Sequence, residues 1–377
     1  MPAAAASVVD WAAAGAAAAA LAPPGPPMTS TEIDELVAEL RGCAALAVDP
    51  VAETAELEAG DDAGRVLVVD RAGWARANAA SFGHLMDPVI SAALTSQREK
   101  RQATRRRGAR RGGDGTPAAV TSLSRAVNAA ETGGLLAFMA TKVLGQYDVL
   151  DPDGGRLLLV APNVAQVEQA IGAVPSDFRL WVCLHEETHR VQFGANPWLG
   201  RWFRAQVVEL LEDMLADPAS SLERLLEGLG RLPEILRAPT PGDGSPPGTA
   251  SSGLLDLVQT PEQKQRLDAL TAVMSLLEGH ADVVMDAVGP SVVPSVAQIR
   301  ARFQARRGGT GPLDRVVRRL LGLDAKAAQY RDGARFVRQV SDRVGTGGFN
   351  QVWTGPETLP SAAELQDPAT WVARVHA

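Results

Sequence analysis

The sequence predicts a mainly α-helical protein with a small β element, an α+β chain in which helices dominate. Three observations predict it. Apolar residues recur at helical spacing over long stretches such as TSTEIDELVAELR and PEQKQRLDALTAVMSLLEGHADVVMDAV. Helix-opening signals, a Thr-x-x-Glu box or a proline, stand at the start of such stretches. Runs rich in β-formers are short and few, chiefly RVLVVD (65–70) and RLLLVAP (156–162).

Residues 1–27 read as an Ala-rich helix, ending before Pro23, and a linker; residues 28–377 read as one domain. The Ala-rich run lacks a basic flank and is interrupted by Asp10, so it is not read as an export signal. In the next helix Thr29 and Glu32 form a capping box, and Ile33, Leu36, Val37 and Leu40 share one face. The strand over 156–162 follows YDVL across Asp151-Pro152-Asp153-Gly154-Gly155, which reads as a hairpin turn. Two segments, 98–117 and 238–253, read as mobile loops. The first is crowded with arginine, including Arg105, Arg106, Arg107, Arg110 and Arg111, and the second is rich in Pro, Gly and Ser.

Composition narrows the function. Of 377 residues, 46% are apolar and 21% charged, as in ordinary globular chains. A net charge of -7 argues against a general nucleic-acid binder. The Arg-rich segment reads first as a solvated loop and second as a patch for phosphate or an acidic partner. Two cysteines, Cys43 and Cys183, are too few for a disulfide framework and suit a reducing cytoplasm. No strongly apolar run reaches roughly 18 residues, so no membrane span is expected.

The chemistry gathers in LHEETHRVQF (184–193), inside a helix that Ser176 or Asp177 can cap. His185 and His189 stand four apart and share a helix face, so both imidazoles can reach one Zn²⁺ at about 2.0–2.1 Å. Glu186 is one residue round, poorly placed as a ligand and well placed as a general base for hydrolysis. Cys183 faces away and reads as a small core residue.

A catalytic zinc usually takes a third protein ligand. The long helix from Pro261 to Gly289-Pro290 carries Glu278, His280 and Asp282 beside an apolar stripe. Glu278 is the preferred ligand, and Asp282, one turn on, can accept a hydrogen bond from a ligand histidine and fix its tautomer. His280 lies about 200° round the helix from Glu278 and is the rival ligand, or a donor if it is not one. Tyr330 is a candidate hydroxyl donor toward a developing oxyanion, with ring packing as its bland alternative. Trp198 and Trp202, after the helix break at Asn196-Pro197, read as packing residues.

Beyond HEETH, the blocks VVDRAGWARAN (68–78), KVLGQYD (142–148), LLLVAPN (157–163), LEGHAD (277–282), LLGLDAKAAQYRDGARFV (320–337) and GFNQVWTGPETLPSAAELQDPATWV (348–372) make the chain resemble a known group nearly end to end. It resembles the actinobacterial zincin-like hydrolases, zinc-dependent metalloproteases of which one branch is associated with deazaflavin-coenzyme biosynthesis. The resemblance implies a zincin-like helical domain with Zn²⁺ as cofactor. His185, Glu186 and His189 match the central motif, and Glu278 matches by position. The expectation is therefore a zinc metallopeptidase acting on a peptide or protein substrate. A metal-stabilised scaffold of the same fold with little turnover is the alternative.

Overall fold

A computed structural model describes residues 9–60, 64–107, 118–216, 260–308 and 323–377. Helices dominate them, and the strands number three, as the sequence predicts. Contacts divide the chain into two compact units. The first comprises Met1–Ala52, Glu58–Ala195 and Pro290–Val296; the second comprises Glu53–Leu57, Asn196–Gly289 and Ala297–Ala377.

The first unit contains α1 (Trp11–Leu21), α2 (Ser30–Leu46), the start of α3 (Val48–Ala55), β1 (Arg65–Val69), α4 (Arg71–Arg107), α5 (Ala118–Ala140), β2 (Gly145–Asp148), β3 (Arg156–Val160), α6 (Ala161–Ile171) and α7 (Pro175–Gly194). Its sheet runs β1-β3-β2, with β1 parallel and β2 antiparallel to β3. The expected hairpin turn over 151–155 joins β2 to β3. Parallel pairing of β1 with β3 needs a long crossover, which α4 and α5 supply. Leu157, Leu158, Leu159 and Val160 of the central strand are all buried, as an aliphatic run covered on both faces should be.

α1 packs on α4 and α5 through small residues rather than large ones. Ala14 and Ala18 are fully buried, and a Cβ on Gly133 would come within 2.8 Å of Ala17. The Ala-rich segment is thus part of the first unit's core. Arg71 holds the proline segment that follows: it donates to the carbonyls of Pro23 and Pro24 and to the side chains of Asn163 and Gln166. The Thr29–Glu32 capping box of α2 is present, and Leu36 and Leu40 are buried beneath it.

Two boundaries differ from expectation. α4 continues through Arg107 into the stretch expected to be a loop, because Arg, Lys, Gln, Glu and Ala are strong helix formers and the first glycine comes at position 108. Residues 108–117, and all of 238–253, lie outside the described residues. At α7, Pro175 is the first helical residue and Val174 the uncapped residue before it. Asp177 turns instead to the returning segment, where its Oδ2 accepts from the backbone N–H (2.8 Å) and hydroxyl (2.6 Å) of Ser295.

The second unit contains α8 (Pro197–Ala216), α9 (Pro261–Val288), α10 (Val296–Gly308), α11 (Leu323–Phe349), α12 (Ala362–Gln366) and α13 (Pro368–Val375). α9 opens with a Thr260–Gln263 capping box and a proline at its first turn. α9 and α11 cross at backbone contact: a Cβ on Gly279 would lie 2.2 Å from the Gly333 carbonyl carbon, and one on Gly333 would lie 1.8 Å from the Ser275 carbonyl oxygen. Trp371, fully buried, packs against Phe336 in the middle of α11 and donates its indole N–H to the Thr358 carbonyl. No described helix is long and apolar enough to cross a membrane.

Candidate metal centre

α7 packs against α2, α6 and the sheet, and its inner face is apolar at Phe178, Trp181, Val182, Leu184 and Val191. The helical register places His185 and His189 on one face, one turn apart, both half-buried. Their Nε2 atoms are 3.2 Å apart and their rings meet edge to face. Two nitrogens bound tetrahedrally to one zinc at about 2.0–2.1 Å would be separated by about 3.4 Å. The pair is thus already spaced as two ligands of one ion.

Gln192, three residues beyond His189 and fully buried, places its Oε1 2.9 Å from His189 Nδ1. An amide oxygen can only accept, so Nδ1–H donates and the Nε2 lone pair is left facing His185. The sequence reading missed this residue. Its signal was available, since a polar side chain one turn beyond a ligand histidine is where an orienting group belongs. Gln192→Ala is expected to weaken zinc affinity about 10–100-fold while the helix persists. Competition with a calibrated chelator measures it, and unchanged affinity would remove Gln192 from the site.

The rest of the motif is satisfied internally. Arg190 clamps Glu187 through two hydrogen bonds of 2.7 and 2.8 Å. Thr188 returns its hydroxyl to the Leu184 carbonyl. Glu186 is only 6% exposed and lies against Gly145 of β2. The Cys183 thiol is pushed well up by burial and lies against the Leu40 carbonyl.

On α9, Glu278 is half-buried and His280 is buried on another side of the helix, as the 200° separation requires. The His280 ring stacks on Phe349 at 5.3 Å and meets Trp353 edge-on at 5.4 Å. Asp282 is exposed; its carboxylate lies 3.8 Å from Arg300, which also donates to the Asp282 carbonyl. Trp198 packs as expected and donates its indole N–H to the Trp353 carbonyl. Tyr330 falls within α11, where its side chain lies outside the described residues.

His185 and His189 offer one ring nitrogen each from α7 of the first unit, and Glu278 on α9 of the second unit is the carboxylate that the sequence leads one to expect beside them. Two imidazoles and a carboxylate are a donor set that zinc accepts in catalytic sites. The histidine pair fits a metal ion in both spacing and chemistry.

Comparison with known proteins agrees. Residues 9–372 match the model of the zincin-like metallopeptidase family. The chain is also similar in structure to a candidate hydrolase with a novel fold from Chloroflexus aurantiacus, at 31% identity and a TM-score of 0.63, over 98% of this chain and 99% of that one. No curated protein is significantly similar in sequence. A fold built of helices around a three-stranded sheet, a paired-histidine helix and a family match over nearly the whole length lead to one statement: the chain belongs to the zincin-like metallopeptidase family.

Proposed function

We propose that this protein is a zinc-dependent peptidase in which His185, His189 and Glu278 hold the metal and Glu186 is the general base. The observation that carries the reading is the His185–His189 pair, whose Nε2 atoms stand 3.2 Å apart on one face of α7. The family match supports hydrolysis as the class of reaction. The two free cysteines suit a reducing cytoplasm as the place of action.

Bound zinc supplies Lewis acidity and brings the pKa of water toward neutrality. The chain's own residues do the rest. Gln192 fixes the His189 tautomer so that the ring nitrogen facing the ion carries a lone pair. Glu186 takes the proton from the attacking water and gives it to the leaving amine nitrogen. Arg190 neutralises Glu187 through its two hydrogen bonds, so the neighbouring carboxylate does not compete for that role. The substrate is a peptide or a protein.

Metal analysis and cleavage together test this. Wild type should carry about one zinc per chain and cleave members of a diverse peptide library. Glu278→Ala should lose most of the metal and the cleavage, whereas His280→Phe, which keeps the aromatic stack, should retain both. Loss of zinc from the His280 variant alone would move the third ligand to His280. A zinc-loaded wild type that cleaves neither the library nor lysate proteins would favour a scaffold over an enzyme.

A further inference from the structure

We propose that Gly145 is a positioning residue for the Glu186 carboxylate, and that β2 serves as the wall which sets where the base stands. This rests on Glu186 being the base, and its test is built to separate the two claims. A Cβ added at Gly145 would lie 2.5 Å from Glu186 Cγ, 2.6 Å from Cδ and 2.7 Å from Oε1. Gly145 is not among the glycines with positive φ. Its backbone would accept any residue, so what demands glycine is the space that the Glu186 side chain fills.

The strand cannot recede to make room, because each of its next three residues is tied down. Gln146 accepts from the Trp74 indole N–H and donates to Asn78. Tyr147 stacks on Phe193 of α7 itself, with ring centroids 5.4 Å apart. Asp148 is buried and accepts from Arg156 and Ser81. On the other side of Gly145, the Leu144 carbonyl accepts from the Val160 N–H. The helix bearing Glu186 is equally fixed, with Cys183, Leu184, Glu187 and Thr188 all buried. With both backbones held in place, a methyl group at 145 meets the Glu186 side chain, which must swing away. Because the overlap begins at Cγ, moving the carboxyl end alone does not relieve it.

The test uses the full-length, zinc-loaded protein and four forms: wild type, Gly145→Ala, Glu186→Ala and the double variant. Gly145→Ala should keep its zinc content and lower kcat about 100-fold with little change in KM, since a misplacement of about 1 Å costs that much. Its crystal structure should show the Glu186 carboxylate displaced by about 1 Å or more from its wild-type position. In the Glu186→Ala background, where no Cγ is left for the new methyl to meet, adding Gly145→Ala should cost less than tenfold in the residual kcat. If Gly145→Ala does not fold, the same coupling is read from whether the double variant recovers folding; no recovery overturns the proposal. A Gly145→Ala crystal structure with Glu186 unmoved, or equal kcat losses in both backgrounds, overturns it as well. If Glu186→Gln is fully active the base lies elsewhere, yet the displacement seen in the crystal still decides the positioning claim.

Discussion

Glu186→Gln is expected to keep the zinc content and thermal midpoint of wild type and to hydrolyse peptides at a hundredth of the wild-type rate or less. The reasoning is that glutamine matches the glutamate in size, fits the same buried place beside Gly145 and leaves the ligands untouched. What it removes is the ability to accept a proton. General-base assistance is worth about 10²–10⁴-fold, or about 2.7–5.5 kcal/mol of barrier. Zinc analysis, thermal melting and steady-state rates on the same preparation measure the three quantities. A mutant of wild-type activity would assign the base to another residue, and a mutant without zinc would make Glu186 part of the ligand set.

The second large effect is on stability. Alanine normally favours a helix over glycine by about 1 kcal/mol. Gly42→Ala, on the exposed face of α2 with nothing within 4 Å of the new methyl, should follow that rule and raise the thermal midpoint slightly. Gly333→Ala should do the opposite. Its methyl group would sit 1.8 Å from the Ser275 carbonyl oxygen and 2.6 Å from the carbonyl carbon, which are backbone atoms of α9 that no rotamer can move. The helices must separate, and overpacking of this kind costs about 3 kcal/mol or more. A drop of about 5–10 °C in the midpoint is expected. Equal behaviour of the two variants would show that the α9–α11 crossing is not close in solution.

The comparison also shows which features a sequence displays. The histidine pair was legible because residues four apart on a helix are neighbours whatever the rest of the chain does. The hairpin turn and the capping box of α2 were legible for the same reason, since each is settled within a few residues. Gln192 was within reach of the same reasoning but was passed over among the residues following the motif. Gly145 was not within reach. Its importance comes from Glu186, which the fold brings to it from a different element, and nothing local distinguishes it from any other strand glycine. The start of α7 failed by competition: Asp177 has the chemistry of a cap, but Ser295 claims its carboxylate. Within the Arg-rich stretch, residues 98–107 continue α4 because their helix propensity prevails over their mutual repulsion.

The bond between Asp177 and Ser295 has a consequence for biosynthesis. The two residues are 118 positions apart, and Pro290–Val296 belongs to the first unit although the chain leaves that unit at Ala195. At a translation rate of about 5–20 residues per second, roughly 6–24 s pass between the emergence of α7 and that of the segment that latches it. During that interval the helix bearing both histidines is present without its clasp. The nascent first unit thus passes that interval in an unlatched form, and the bond can be made only after all of α9 has been synthesised.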